Sequence, residues 1–378
     1  MHTVLVLGAG FGGLELAACL SEAASDEVRV ILLDRSDGFV FGFSKLDVLF
    51  RGRTVDEVRI PYATVQRPAV EFRQETVTGI DPRTRRVTTD HGEYSPDTLV
   101  VALGAEYDCG ATPGFTADGH EYYSLDGVRR LRGRLDTFTG GTVLLAILSV
   151  PFKCPPAPYE GALLLHEELV RRELRGATRM HVLTPMDSPV PVSPDTNAAI
   201  VGALADRDIE YTTGTRVHAL DPAGHTASTH AGDLDYDLFI GIPRHRVPEV
   251  VEASGLTEGG TDGWIHVDPA TLATPFPGVY AIGDCADAPV PRAGVFAETA
   301  ARTVASDIVA RLHEDGQGDR YRGQGTCHIE FGGGLVGKVD ADFLSGPVPV
   351  APFHGPSPEL ATEKAQLAAA RRRRWFGT

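Results

Sequence analysis

Residues 3–20 read TVLVLGAGFGGLELAACL. The first five are β-branched or leucine, the signature of a strand buried in a parallel sheet. Gly8-Ala9-Gly10-Phe11-Gly12-Gly13 follows at once, and from Leu14 the apolar residues return at helical spacing. Strand, glycine turn and helix in that order are the context that G-x-G-x-x-G requires. Gly8 permits the tight turn, Gly10 lets the backbone approach a pyrophosphate, and Gly13 lets helix and strand pack closely. Phosphates then rest on a helix N-terminus, where unpaired N–H groups and the macrodipole favour anions. The next apolar run ends in Asp34, 21 residues beyond Gly13. An acid there accepts hydrogen bonds from ribose hydroxyls. The competing reading is a glycine-rich turn without a ligand.

Two later segments narrow the choice of dinucleotide. Residues 98–104, TLVVALG, form an apolar run stopped by Gly104, and residues 278–286, GVYAIGDCA, form another ending in Gly283-Asp284. Between them, residues 142–148, TVLLAIL, have the look of a strand that opens a second nucleotide unit. The loop after it reads SVPFKCPPAPYE over residues 149–160, with four prolines and no glycine before Gly161. Proline has no N–H and a fixed φ, so this loop cannot form an ordinary phosphate cradle. The helix beyond it is retained, with leucines at helical spacing. By resemblance to flavoproteins built from two dinucleotide-binding domains, this stretch implies a second unit that kept its fold and lost its nucleotide. Cys154 stands where the phosphates belong. It follows Lys153 and precedes a helix N-terminus, features that favour a thiolate if the side chain points that way.

The order of G-x-G-x-x-G, a strand ending in Ala-x-Gly and a strand ending in Gly-Asp resembles the flavoproteins built from two dinucleotide-binding domains. The resemblance implies that the first fingerprint binds FAD and that Asp284 holds its ribityl chain. It departs in reading Ala-Leu-Gly at residues 102–104 where Ala-Thr-Gly is common. One cysteine on the middle unit's first loop and one after the Gly-Asp motif resemble the sulfide:quinone oxidoreductases and the flavoprotein of flavocytochrome c sulfide dehydrogenase. By that resemblance Cys154 and Cys327 meet beside the flavin. Sulfide opens their disulfide, a persulfide forms, and two electrons reach FAD and pass to a quinone or a haem protein. The other reading of each thiol is an inert packing residue. For Cys19, Cys109 and Cys285 packing is the favoured reading.

The same resemblance runs residues 39–50, FVFGFSKLDVLF, beneath the flavin, with Lys45 polarising it and Phe41 and Phe43 packed on it. It sets Val295, at a helix start, against the pyrimidine edge. A surface lysine and core aromatics are the alternative. Glu160 and His166, on the helix after Cys154, are candidate proton carriers. Phe331, Phe343, Phe353, Trp375 and Phe376 line an apolar quinone slot or pack in the core.

The chain has 378 residues, 42% of them hydrophobic. The fold class expected is α/β: two Rossmann-like, doubly wound, three-layer domains. An FAD domain is discontinuous over 1–105 and 256–325, a second domain covers 106–255, and a strand pair with a basic helix covers 326–378. With 35 Lys and Arg against 51 Asp and Glu, the net charge of −16 argues against nucleic-acid binding. Five cysteines are too few for a disulfide scaffold. Neither C-x-x-C nor C-x₄-C occurs, nor any zinc-spaced cluster, nor G-x-S-x-G, which excludes closely spaced redox pairs, a structural metal and a serine hydrolase. The expected location is cytoplasmic. The tail from residue 357 carries five Lys or Arg against two Glu and ends in Trp375-Phe376. It either lies peripherally on an anionic membrane or is a solvated helix. A homodimer is compatible with all of this.

The functional reading is an FAD-dependent oxidoreductase that takes electrons from sulfide or a small thiol or persulfide through the cysteine pair. The alternatives are an NAD(P)H-dependent flavin reductase or NADH:quinone oxidoreductase, and a non-catalytic flavin-bound redox sensor.

Overall fold

The computed structural model describes every residue except Asp315 and Thr378, which lie within the expected 256–325 and 326–378 segments and outside the described residues. A first parallel sheet has the order Val279–Ala281, Thr98–Val101, His2–Leu7, Val28–Asp34, Val70–Gln74. A second has the order Gly119–His120, Leu238–Ile242, Gly141–Ile147, Thr178–Leu183, Ile209–Thr212. In each, the strand that opens the unit lies at the centre. In each, a three-stranded antiparallel meander precedes the strand that returns beside it: Val77–Asp81, Arg86–Thr89 and Glu93–Tyr94 in one, Val217–Asp221, Thr226–Thr229 and Gly232–Asp235 in the other. One plan is used twice, and the expected α/β class holds.

The opening strands are apolar because they are buried in packed cores; in the first unit they share one core with the helix Phe11–Ala24 and with Ile80 and Val87 of the meander. Val4, Leu5, Val6 and Leu7 are wholly buried. At about 1.5–3 kcal/mol per buried aliphatic side chain, such a strand is held by its burial. The helix Phe11–Ala24 returns over the sheet and packs on the helix Gly294–Leu312. A Cβ on Gly13 would stand 1.9 Å from the Gly8 carbonyl oxygen, so only glycine lets the helix start this close to its own strand. Where the chain passes between the two units, Glu106–Asp108 and Arg244–Arg246 pair antiparallel.

The C-terminal region differs from expectation in two ways. Its sheet has three strands rather than a pair: Gln324–Gly332, Leu335–Asp342 and Phe353–Ser357. The third runs through a Gly- and Pro-rich stretch. It is an edge strand, where Pro356 costs no ladder bond. The second difference is the basic tail. It forms the helix Pro358–Phe376, capped by the Ser357 hydroxyl, which accepts from the Leu360 N–H. The aromatic end of its last turn is buried rather than free for a bilayer, while Arg372 and Arg373 stay exposed. Trp375 and Phe376 are 1% and 2% exposed and sit in the first core. The Trp375 ring meets Phe11, Phe39 and Phe41 with centroids 5.6–6.1 Å away. Its Nε1 donates to Glu15 at 2.7 Å, and Arg374 Nε donates to the same carboxylate at 2.8 Å. Glu15 is a fully buried acid on the first helix, and a buried charge demands such partners.

The expected slot of five aromatics does not form. Phe331 packs on Phe353 in the second core, Phe343 on Phe296, and Trp375 and Phe376 in the first core. No helix among the described residues is long and apolar enough to cross a membrane.

Candidate functional site

The carboxyl ends of the first sheet open into a cavity of about 960 Å³. The turn after the first strand forms its floor. Gly8 has φ 100°, and a Cβ there would stand 2.3 Å from the Ala102 carbonyl oxygen. Gly10 and Gly104 face the cavity, and a Cβ on either would find no protein atom within 4 Å. Backbone is therefore bared to whatever fills the space. The helix Phe11–Ala24 begins at Gly10 with no side-chain cap, so its first-turn N–H groups remain available. Asp34 lines the same wall, its carboxylate fixed by the N–H groups of Ala9 and Ser36, each at 2.8 Å. The second uncapped helix start, Ala293-Gly294-Val295, faces the cavity from the other side.

Lys45 also lines the cavity, and its Nζ donates to the Tyr123 carbonyl. Of the two phenylalanines beside it, Phe43 lines the cavity while Phe41 turns into the Trp375 cluster. Asp284 is 3.7 Å from Lys153 Nζ. Lys153 also donates to the Ala105 carbonyl at 2.8 Å and lies over the Tyr107 ring. Burial pulls its ammonium down, but Tyr107 and Asp284 together hold it above its ordinary value.

The proline loop bends into this cavity rather than around a second one. Cys154 N donates to the Arg292 carbonyl at 2.7 Å, which ties the loop to the first unit. Lys153, Cys154, Ala157 and Glu160 all line the cavity. At the carboxyl end of the second sheet, Tyr159 is fully buried with its ring 5.9 Å from Tyr211. Cys154 holds φ 53°, a left-handed conformation that costs a non-glycine residue roughly 1–2 kcal/mol.

Cys327, on the strand Gln324–Gly332, reaches the same cavity, and both cysteines are free. The expected thiolate at Cys154 is not what the surroundings favour. Burial pushes its thiol well above the ordinary value, and Glu160 and Cys327 push further. Lys153 cannot oppose this because its ammonium points to Ala105, Tyr107 and Asp284. Cys327 is pushed up to about 12, by burial first and then by Glu160, with Arg371 opposing.

Glu160 is 4% exposed and accepts the Glu330 N–H at 2.9 Å. Burial raises its carboxyl to about 7, against the pull of Lys364. It can therefore hold or release a proton near neutral pH. His166, the other candidate carrier, does not line the cavity.

Thus Gly8, Gly10, Asp34, Lys45, Gly104, Cys154, Asp284, Val295 and Cys327 share one cavity, and Gly13 serves the packing beneath it. Cys109 packs against the third core cluster, and Cys285 is buried with its thiol on the Val101 carbonyl. The sequence reading missed Lys364 and Arg371. They stand seven residues apart on the C-terminal helix and line the cavity beside the thiols, with Arg371 paired to Glu298 at 2.6 Å. Their spacing on one helix face was visible, but not the wall they cover.

Residues 2–145 and 162–305 match the family described as pyridine nucleotide-disulphide oxidoreductase, well over half of the chain. The chain is similar to the sulfide-quinone reductase of Aquifex aeolicus, with 26% identity over 361 residues, 87% of this chain and 81% of that protein. It is also similar to an NADH dehydrogenase-like protein of Mycobacterium tuberculosis, with 30% identity over 308 residues, 76% and 74%. The solved structure of the Aquifex aeolicus sulfide:quinone oxidoreductase superposes with a TM-score of 0.87 at 21% identity, over 100% of this chain and 93% of that one. NDH2 from Plasmodium falciparum in complex with NADH superposes with a TM-score of 0.77 at 12% identity, over 99% and 96%. At these identities the two structures speak to the fold alone. The bared glycines, the two uncapped helix starts and the two carboxylates fit a dinucleotide with a polar chain between its rings. The chain belongs to the pyridine nucleotide-disulphide oxidoreductase family, and it is an FAD-dependent oxidoreductase.

Proposed function

We propose that this oxidoreductase takes electrons from sulfide or another small sulfur donor through Cys154 and Cys327 and delivers them to a quinone or another acceptor. The observation that carries the reading is the bend of the proline loop, which brings Cys154 to the wall that Cys327 and Glu160 also line. FAD, when bound, supplies the two-electron acceptor. Gly8, Gly10 and Asp34 would hold its nucleotide half, Asp284 its ribityl hydroxyls, and Lys45, Gly104 and Val295 the ring end. In its oxidised form the pair offers a disulfide. Hydrosulfide attacks one sulfur, the S–S bond breaks, and a persulfide and a thiolate result. Lys364 and Arg371 are the cations that stabilise charge at the two sulfurs. Glu160 is the group that exchanges protons with them near pH 7.

The 30% identical relative is named for NADH, and this favours a second reading, reduction by NADH. Anaerobic mixing of the FAD-loaded protein with sulfide and, separately, with NADH distinguishes the two. Bleaching of the flavin by sulfide alone is expected, together with its loss in Cys154→Ser and Cys327→Ser variants that retain FAD. Bleaching by NADH, or sulfide bleaching that survives both substitutions, would overturn the reading. Delivery to a quinone implies peripheral contact with a membrane through a surface other than Trp375 and Phe376.

A further inference from the structure

Oxidation inside a walled cavity has to move protons as well as electrons. We propose that His328 and Glu363 form the route by which a proton freed beside Cys327 reaches water; this rests on the reading of the cavity as the redox site. His328 follows Cys327 on the strand Gln324–Gly332 and lines the same cavity. Its side chain is 5% exposed. Nε2 lies 3.3 Å from Glu363 Oε1, but without the alignment of a settled hydrogen bond. Glu363, on the C-terminal helix, is 45% exposed and also accepts from Lys338 Nζ at 3.2 Å. The imidazole therefore touches the cavity on one side and a wet carboxylate on the other.

The charged groups around His328 keep it from trapping a proton. Burial holds the imidazole below its ordinary value, Glu363 opposes this, and Lys364 on the helix and Lys338 on the neighbouring strand add to the lowering. Asp340, beside Lys338 at 3.8 Å and His354 at 3.3 Å, continues the polar chain over the exposed sheet face. The balance is simple. Dihydrogen sulfide oxidised to bound zero-valent sulfur yields two electrons and two protons. The two electrons and one proton would go to FAD. The other proton binds the imidazole, an N–H of the imidazolium passes it to Glu363 Oε1, and Glu363 releases it to water.

The test mixes FAD-loaded protein with sulfide anaerobically in weak, mildly acidic buffer, where sulfide enters as H2S, containing a pH-indicator dye. His328→Phe is expected to slow both proton appearance and flavin bleaching about tenfold or more, with added imidazole restoring the rate. Should that variant lose FAD, Glu363→Gln carries the same expectation from the protein surface. Wild-type rates in both variants, or a slowing that imidazole does not relieve, overturn the route. A second readout needs no cofactor. In the FAD-free protein, Glu363→Gln should lower the midpoint of the His328 NMR titration, and an unchanged midpoint rejects the contact. If sulfide does not bleach the wild-type flavin, the proposed donor fails. The NMR titration of the FAD-free protein then still tests the contact between His328 and Glu363.

Discussion

Replacing Trp375 with alanine tests how the C-terminal helix is held. The ring is 1% exposed and packed edge-on against Phe11 and Phe39. Removing a buried aromatic side chain costs about 3–5 kcal/mol. The indole N–H to Glu15 is also lost, but Arg302 and Arg374 still satisfy that carboxylate, so no charge is left unpaired. A loss of about 4 kcal/mol follows. Spread over a chain of this length, whose unfolding entropy is about 0.8 kcal/mol/K, it lowers the melting temperature by about 5 °C. A local response competes with global unfolding, because the helix can detach alone. Lys364, Leu367 and Arg371 then leave the cavity wall, and FAD escapes faster. Trp375→Phe keeps the packing and loses only the N–H, so it should lose about 1–2 kcal/mol. Thermal melts followed by intrinsic and by flavin fluorescence, with FAD release after dilution, report both responses. An alanine variant that melts within 1 °C of the parent and releases FAD at the parent's rate refutes the clamp.

Glu160→Gln is expected to change the pH dependence of stability. The folded carboxyl titrates at about 7, above its ordinary 4.5, so between those values the folded state keeps a proton that the unfolded state has lost. Wild-type stability therefore falls as pH rises through that window, by about 3 kcal/mol when complete. The glutamine still accepts the Glu330 N–H and escapes this cost. Urea midpoints at pH 5 and pH 8 should show the variant gaining on the parent, and a constant difference contradicts the assignment. The fingerprint glycines should separate by role. Gly13→Ala meets the Gly8 carbonyl oxygen and should destabilise the FAD-free protein by about 1–3 kcal/mol in denaturant titration. Gly10→Ala meets no protein atom and should leave that stability intact while weakening FAD binding in a fluorescence titration.

The parts of the site legible in the sequence are those set by local chain geometry. A strand, a turn needing Gly8 and a helix start are neighbours in sequence, and so is the proline loop after residues 142–148. The strands ending at Gly104 and Asp284 were marked by apolar runs, and their order along the chain carried the resemblance. Contacts made by distant side chains were not legible. Nothing near Lys153 says that its ammonium turns to Ala105 and Asp284 instead of Cys154, because that depends on how two units pack. The run Arg371–Arg374 looks like a solvated charge cluster. The structural roles of Arg374 and Arg371 depend on Glu15 and Glu298, distant in sequence, and Glu15, one of two acids in the helix Phe11–Ala24, carries no signal of its own. The third C-terminal strand was hidden because proline and glycine suit an edge strand as well as a loop.

The helix Pro358–Phe376 has a consequence for the protein's birth. Once translation has passed the helix Gly294–Leu312, the glycine turn, the first sheet, Asp284 and Val295 all exist, but the wall that carries Lys364 and Arg371 has not been made. A nascent chain thus presents an open vestibule to flavin. Closure comes only when the late helix finds the first one, so cofactor loading and the completion of synthesis are ordered events rather than independent ones.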